Sequence, residues 1–176
     1  MDAYAKSKTP KEDRDKRQTP RFLFRRIQHL MNMPIVHDVC AEPHTTKCES
    51  FWAEEDDALS IDWMEELSQK NLTQGRSMPY AVWMNPPYSN PEIWCKKAYQ
   101  ESKFGLIIIG LLPDDRSTGW YQDWVEDKAA FIYLPDRRIS FEDANCVPQT
   151  GNPKGSIVVV WTPMTTNKTC EMRFKI

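Results

Sequence analysis

Residues 104–112, FGLIIIGLL, constrain the fold more than any other segment of this chain. The run has no charge and is mostly isoleucine and leucine. A strand wetted on one side alternates apolar and polar residues, so a continuous apolar run is that of a strand covered on both faces. Such strands belong to mostly parallel sheets with helices above and below. The flanking sequence fits. Thr19 reads as the N-cap and Pro20 as the first position of a helix. Phe22, Leu23, Ile27, Leu30 and Met31 follow at helical spacing, and Pro34 ends it. Residues 35–39 read as a short strand and 40–43 as a turn. Residues 44–57 give no clear reading, and 57–64 suit either a capped helix or a loop with a short strand. Residues 80–84 are a strand, and Asn90-Pro91-Glu92 opens a helix that runs to about residue 102. Trp120, Trp124 and Val125 mark a short helix, and 131–134 and 156–161 two more strands. This alternation predicts an α/β three-layer sandwich with a mostly parallel central sheet. With 176 residues, the chain suits one domain, expected over 19–176. Residues 1–18 are polar without periodicity and are expected to form a mobile basic arm.

Asn85-Pro86-Pro87-Tyr88 follows the strand at 80–84 directly. Neither proline can donate a ladder hydrogen bond, so the strand stops and the turn is rigid. It sits at a carboxyl end of the sheet, where open α/β sheets bind ligands. The order acceptor, Pro, Pro, aromatic suits methyl transfer to an exocyclic amine on a flat ring. That nitrogen is a poor nucleophile because its lone pair is delocalised. The Asn85 side-chain oxygen and the Pro86 carbonyl, aimed at its two N–H bonds, would localise the pair, and Pro87 fixes their direction. Tyr88 offers a face for the ring to stack on, worth about 1–3 kcal/mol. No strong base is needed, and His29, His37 and His44 are scattered rather than clustered.

Charge is unevenly spread. Lys6, Lys8, Lys11, Arg14, Lys16, Arg17, Arg21, Arg25 and Arg26 crowd the start, whereas residues 37–70 are acidic, with only Lys47 and Lys70 as cations. A chain that binds a cationic cofactor with one half and a phosphate backbone with the other has this pattern. Cys40, Cys48, Cys95, Cys146 and Cys170 are odd in number and form no CxxC pair, which suggests reduced thiols without a zinc site. No apolar run approaches a membrane span, and the start lacks a secretory signal, so a cytoplasmic protein is expected. The polar stretch 135–155, with Arg137-Arg138, is long enough to suggest a functional loop.

Taken in order, several segments resemble the small phage-encoded Dam-type DNA N6-adenine methyltransferases. They are Gln18-Thr19-Pro20 with Leu23-Phe24, Asp38-Val39-Cys40-Ala41, Asp57-Ala58-Leu59 with Asp62-Trp63, and Asn85-Pro86-Pro87-Tyr88-Ser89. Leu111-Leu112-Pro113 with Ser117-Thr118 and Trp120, Arg138-Ile139-Ser140-Phe141, and Gly151-Asn152-Pro153-Lys154-Gly155-Ser156 follow. The resemblance implies a Rossmann-like methyltransferase fold, S-adenosyl-L-methionine as cofactor, and N6-methyladenine in double-stranded DNA as product. It assigns Thr19 and Pro20 to the cofactor's methionine carboxylate, in keeping with a helix N-terminus as an anion site. Asp38 would take the ammonium, with the turn to Ala41 and the end of β-strand 80–84 at Asn85 bordering the cofactor. That turn lacks the glycine usual in the wider superfamily. Asp62 and Trp63 would hold the cofactor adenine; Asp57, Glu54 and Glu55 are open choices for its ribose. The target adenine, flipped from the duplex, would enter between Tyr88 and a second apolar group such as Phe141. Arg137, Arg138 and Lys154 would contact DNA. Alternatives are methylation of cytosine N4, RNA adenine or a protein glutamine, and a DNA-binding module without turnover; cytosine-N4 enzymes more often carry Ser in place of Asn85. No metal, no membrane partner, a monomer or weak dimer, and the cytoplasm of a phage's bacterial host are the remaining expectations.

Overall fold

The computed structural model describes residues 17–73, 81–143, 145–149, 154–164 and 167–176. The expected arm at 1–16, Tyr80 and the Gly151-Asn152-Pro153 triplet lie outside the described residues. In chain order the elements are α1 (Arg21–Met31), β1 (Ile35–Asp38), β2 (Ser50–Phe51), a short 3-10 turn (Glu54–Asp56), α2 (Trp63–Thr73) and β3 (Ala81–Met84). Then come α3 (Pro91–Ser102), β4 (Ile107–Pro113), α4 (Gly119–Trp124), β5 (Phe131–Pro135), β6 (Ser156–Trp161) and β7 (Cys170–Phe174).

The apolar run at 104–112 forms the central strand, β4, but starts later than its composition suggests. Phe104 is 64% exposed, and Gly105 has φ 114°, a left-handed value open to glycine. The N–H groups of Phe104 and Gly105 close the end of α3 on the carbonyls of Glu101 and Ser102, at 3.1 and 3.2 Å. The strand itself is covered on both faces. Ile108 and Leu112 point into one core with Val82, Met84, Ile157, Val159 and Trp161. Ile109 and Leu111 point into the other with Trp83, Val158 and Val160. The two-residue period of a strand divides the sheet's side chains between the two cores.

Seven strands form one sheet in the order β2–β1–β3–β4–β6–β5–β7. Pairing is parallel from β2 through β4 and between β5 and β7; β6 alone runs against its neighbours. The sheet is therefore mostly parallel with one inserted antiparallel strand, as in the methyltransferase fold. Helices α2, α3 and α4 cover one face, through Trp63, Leu67, Cys95, Ala98, Trp120 and Tyr121. The opposite face is covered by α1, through Leu23, Phe24 and Ile27, and by Ile139 and Phe141 of the long 135–155 segment. Two strands, β2 and β7, add edges that the sequence pattern does not announce.

Boundaries at α1 differ from expectation. Pro20, with extended backbone (φ −59°, ψ 137°), precedes the helix rather than starting it, and its carbonyl accepts the N–H groups of Leu23 and Phe24 at 3.1 and 3.2 Å. Asn32, left-handed at φ 50°, ends it before Pro34. Gln18, expected in the mobile arm, is buried. It exchanges backbone hydrogen bonds with Glu142 at 2.8 and 3.0 Å, so the folded body includes it.

One packing detail yields a test. Gly110, in the middle of β4, leaves room for the Trp161 ring, whose Nε1 donates to Trp124 O at 2.9 Å. A methyl group at 110 would lie 2.9 Å from Trp161 Cζ3 and 3.0 Å from Met84 Cε. Both side chains are fully buried and the indole is held by its hydrogen bond. Gly110→Ala should cost about 1–3 kcal/mol by overpacking, measured as a lowered denaturant midpoint with unchanged slope.

Candidate active site

The chain leaves β1 toward β2 on one side of the sheet and returns to β3 on the other. The carboxyl ends of β1 and β3 therefore flank a topological switch point, the usual ligand crevice of an open α/β sheet. Asp38 is the last residue of β1 and pairs in register with Trp83 of β3. Asn85 follows just beyond, so both polar side chains of interest stand at the same crevice. Backbone bonds hold its walls: Val39 N–H to Trp83 O at 2.9 Å, Trp52 N–H to Asp38 O at 2.9 Å, and Ala41 N–H to Trp52 O at 3.0 Å. Ala41 is thus stitched to the strand on the far side of β1.

Asp38 is 4% exposed. Its Oδ1 accepts the Cys40 N–H at 3.3 Å, and the backbone N–H of Lys47 also donates toward it. Burial outweighs these donors and raises its pKa to about 7. Asn85 Oδ1 is buried without any hydrogen-bond partner, as is Thr19 Oγ1. Thr19 thus does not cap α1. Buried polar atoms without partners are rare, and in a crevice they mark where a ligand's donors belong. Lys47 links the two walls: its Nζ donates to Gln18 Oε1 at 3.4 Å, next to Thr19, while its backbone faces Asp38.

The prolines do what the sequence requires of them. Pro86 is buried, and the turn closes by the Asn90 N–H donating to Pro87 O at 3.4 Å. The Tyr88 ring meets Phe141 edge to face, with centroids 5.9 Å apart and planes at 85°. Phe141 is buried in the core. It therefore backs Tyr88, and the two rings are in contact rather than walls of an open slot between them. The Tyr88 hydroxyl is buried and interacts with that of Ser156, yet neither closes a hydrogen bond; burial pushes the phenol pKa up.

Other expected residues lie elsewhere. Trp63 is fully buried, donates Nε1–H to Ala58 O at 2.6 Å and packs beside Trp52, so its ring has no open face for a cofactor. Asp62 is exposed and caps α2 by accepting the Glu65 N–H at 2.8 Å. Of the acids after β2, Asp56 is engaged with the Ala53 N–H at 2.7 Å, while Glu54, Glu55 and Asp57 are exposed. Arg137 and Arg138 are exposed, with Arg137 Nε 3.4 Å from Asp136 Oδ1, and exposed Lys154 pairs with Asp115. His37 is buried with Nδ1 2.8 Å from Ser50 Oγ, and desolvation lowers its pKa to about 3, so it is neutral. Lys47, Gln18 and Ser156 stand beside the site residues and were given no role by the sequence. Lys47 had one signal, its isolation as a cation in an acidic stretch. Among the described residues no helix is long and apolar enough to cross a membrane, and no group of three or more His, Cys, Asp or Glu is placed to hold a metal ion.

Comparison with known proteins agrees with this geometry. The family model described as DNA N-6-adenine-methyltransferase (Dam) matches residues 6–173. The DNA N-6-adenine-methyltransferase of Haemophilus phage HP1 is 32% identical over 160 residues, covering 90% of this chain and 84% of that protein. A DNA N-6-adenine-methyltransferase of Escherichia phage T1 is 27% identical over 172 residues, covering 89% of this chain and 66% of that protein.

The buried carboxylate gives a sign that can be checked. Because the folded pKa of Asp38 lies near 7, above its ordinary 3.8, the fold disfavours the ionised form. That cost is absent below about pH 4, grows as pH rises from there to about 7, and stays at its full value above. Asp38→Asn keeps the acceptor for Cys40 N–H and removes the charge. The ligand-free variant should unfold on the order of 5 °C higher than wild type at pH 8, with the gain vanishing toward pH 4. A variant less stable at pH 8 would show that a cation already neutralises Asp38.

Proposed function

We infer the roles within the site from one premise: the chain belongs to the DNA N-6-adenine-methyltransferase (Dam) family, and its activity is methyl transfer to the N6 amino group of adenine in DNA. Membership implies S-adenosyl-L-methionine as methyl donor. The residues present suit that molecule. Asp38, a buried carboxylate without an ion-pair partner among the described residues, is complementary to its ammonium. Thr19 Oγ1, a hydroxyl that can donate to its carboxylate, and Asn85 Oδ1, an acceptor, are both buried without partners. When bound, the cofactor supplies a methyl group on a sulfonium, which leaves as a neutral thioether.

The chain's own residues then do three things. The target adenine, taken out of the duplex, lies against the ring of Tyr88. Asn85 Oδ1 and the Pro86 carbonyl accept its two N6–H bonds, which localises the nitrogen lone pair and points it at the methyl group. The rigid Pro86-Pro87 turn holds that geometry before substrate arrives, so catalysis is mainly positioning and dispersal of charge. The nitrogen becomes acidic only as it is alkylated, and its surplus proton leaves through those acceptors to solvent. Neutral, buried His37 has no part in this. Arg137, Arg138 and Lys154, all exposed, are assigned to the DNA backbone, exchanging Asp136 and Asp115 for phosphates. Double-stranded DNA as the form acted on, a monomer or weak dimer, and the cytoplasm of a bacterial host belong to the same proposal.

The observation that carries this reading is the unpartnered, buried Oδ1 of Asn85 at the switch point. Asn85→Ala should lower methyl incorporation into duplex DNA by about 10²–10³-fold, by analogy with loss of an oxyanion-hole donor, and leave cofactor affinity within a few fold. Near wild-type turnover would remove Asn85 from the mechanism. Cofactor affinity itself should rise about tenfold per pH unit below pH 7 and level off above it, as Asp38 ionises to receive the ammonium.

A further inference from the structure

Lys47 has no role in the site as described so far, yet it sits within it. Its main-chain N–H is directed at the Asp38 carboxyl and favours its ionised form. Its ammonium is half-buried and bound only by neutral oxygens, Thr45 O at 2.7 Å and Gln18 Oε1 at 3.4 Å. Among the described residues no carboxylate lies within ion-pair distance of it. The charges of Glu142 and Asp38 attract it and that of Arg21 repels it. A partly desolvated cation is costly without an anion.

A carboxylate and a cation within one crevice match an α-amino acid, whose ammonium and carboxylate share one carbon. Asp38 takes the ammonium, leaving the carboxylate to be met from the same side. Two features converge there. Thr19 Oγ1 is buried without a partner, and Gln18, the residue before it, is hydrogen-bonded to Lys47. A DNA phosphate fits less well, since a half-buried amine tied to the crevice wall does not reach outward to a backbone.

We propose that Lys47, released from Gln18 Oε1, binds the carboxylate of the cofactor's amino-acid moiety, so that Asp38 and Lys47 read the zwitterion as a pair. This rests on S-adenosylmethionine being the cofactor and deepens that reading by assigning its carboxylate a cationic partner.

The test compares two ligands by calorimetry on the full chain. S-adenosylmethionine carries both charges of the amino acid; its decarboxylated analogue keeps the sulfonium and the ammonium but has no carboxylate. Lys47→Met should weaken S-adenosylmethionine by about 10- to 100-fold and leave the decarboxylated analogue within twofold. Lys47→Arg should recover much of the loss. Gln18→Ala, which removes the strut but keeps the cation, should leave the selectivity intact. Equal losses for both ligands, or unchanged affinity for S-adenosylmethionine, would overturn the assignment, as would a Gln18→Ala variant that reproduces Lys47→Met. Failure of the wild type to bind either ligand would instead refute the cofactor reading, and this assignment with it.

Discussion

The parallel pairing of β1 with β3, which sets Asp38 beside Trp83, is the constraint from which the site follows. Chain order makes these strands neighbours although β2 and α2 lie between them in sequence. The connections leaving their carboxyl ends therefore diverge, which is where a crevice forms in an open α/β sheet. A slip of one residue would turn Trp83 and Asp38 to the opposite faces. Trp83 prevents it: its ring is almost fully buried and meets Phe24 of α1 edge to face at 5.3 Å. The helix that follows Thr19 thus locks the register that places Asp38 and Asn85.

The fold's stability and the site's readiness pull against each other. A carboxyl with a pKa near 7 and several buried, unpartnered oxygens all weaken the ligand-free state. The remainder of the domain compensates by covering both faces of the sheet. The same preorganisation explains why the Asn85 turn is built from two prolines. An acceptor held by a rigid backbone does not have to be ordered when the base arrives, so the entropy is lost in folding rather than in catalysis.

How much was legible in the sequence depends on the range of the interaction. The unbroken apolarity of β4 needs no partner to be recognised, and the Pro-Pro stop after β3 is equally local. The placement of Asp38 and Asn85 at neighbouring strand ends was legible for the same local reason. Trp63 was not. It stands in a motif beside Asp62 and offers a large ring, but whether its face is open depends on Trp52 and on Ala58 O, which only the fold brings to it. The α1 boundary was misplaced because Thr-Pro is a capping signal by type, whereas here the backbone of Gln18 is drawn away to Glu142. Strand β7 lacked a signal because its pairing with β5 is distant and its residues are partly charged. Lys47 stood out only as an isolated cation, because a lone lysine in an unassigned stretch has no periodicity to place it.

The long segment after β5 carries more than charge. Its middle residues pair with Gln18 through Glu142, and Glu142 also bridges toward Pro148, so the segment folds onto the entrance of α1. Phe141, next to that bridge, supports the ring of Tyr88. The wall holding Thr19 and the wall holding Tyr88 are therefore joined by one short antiparallel contact. On the roles proposed above, the cofactor's site and the base's site are thus tied to one stretch of backbone as well as meeting at the methyl group.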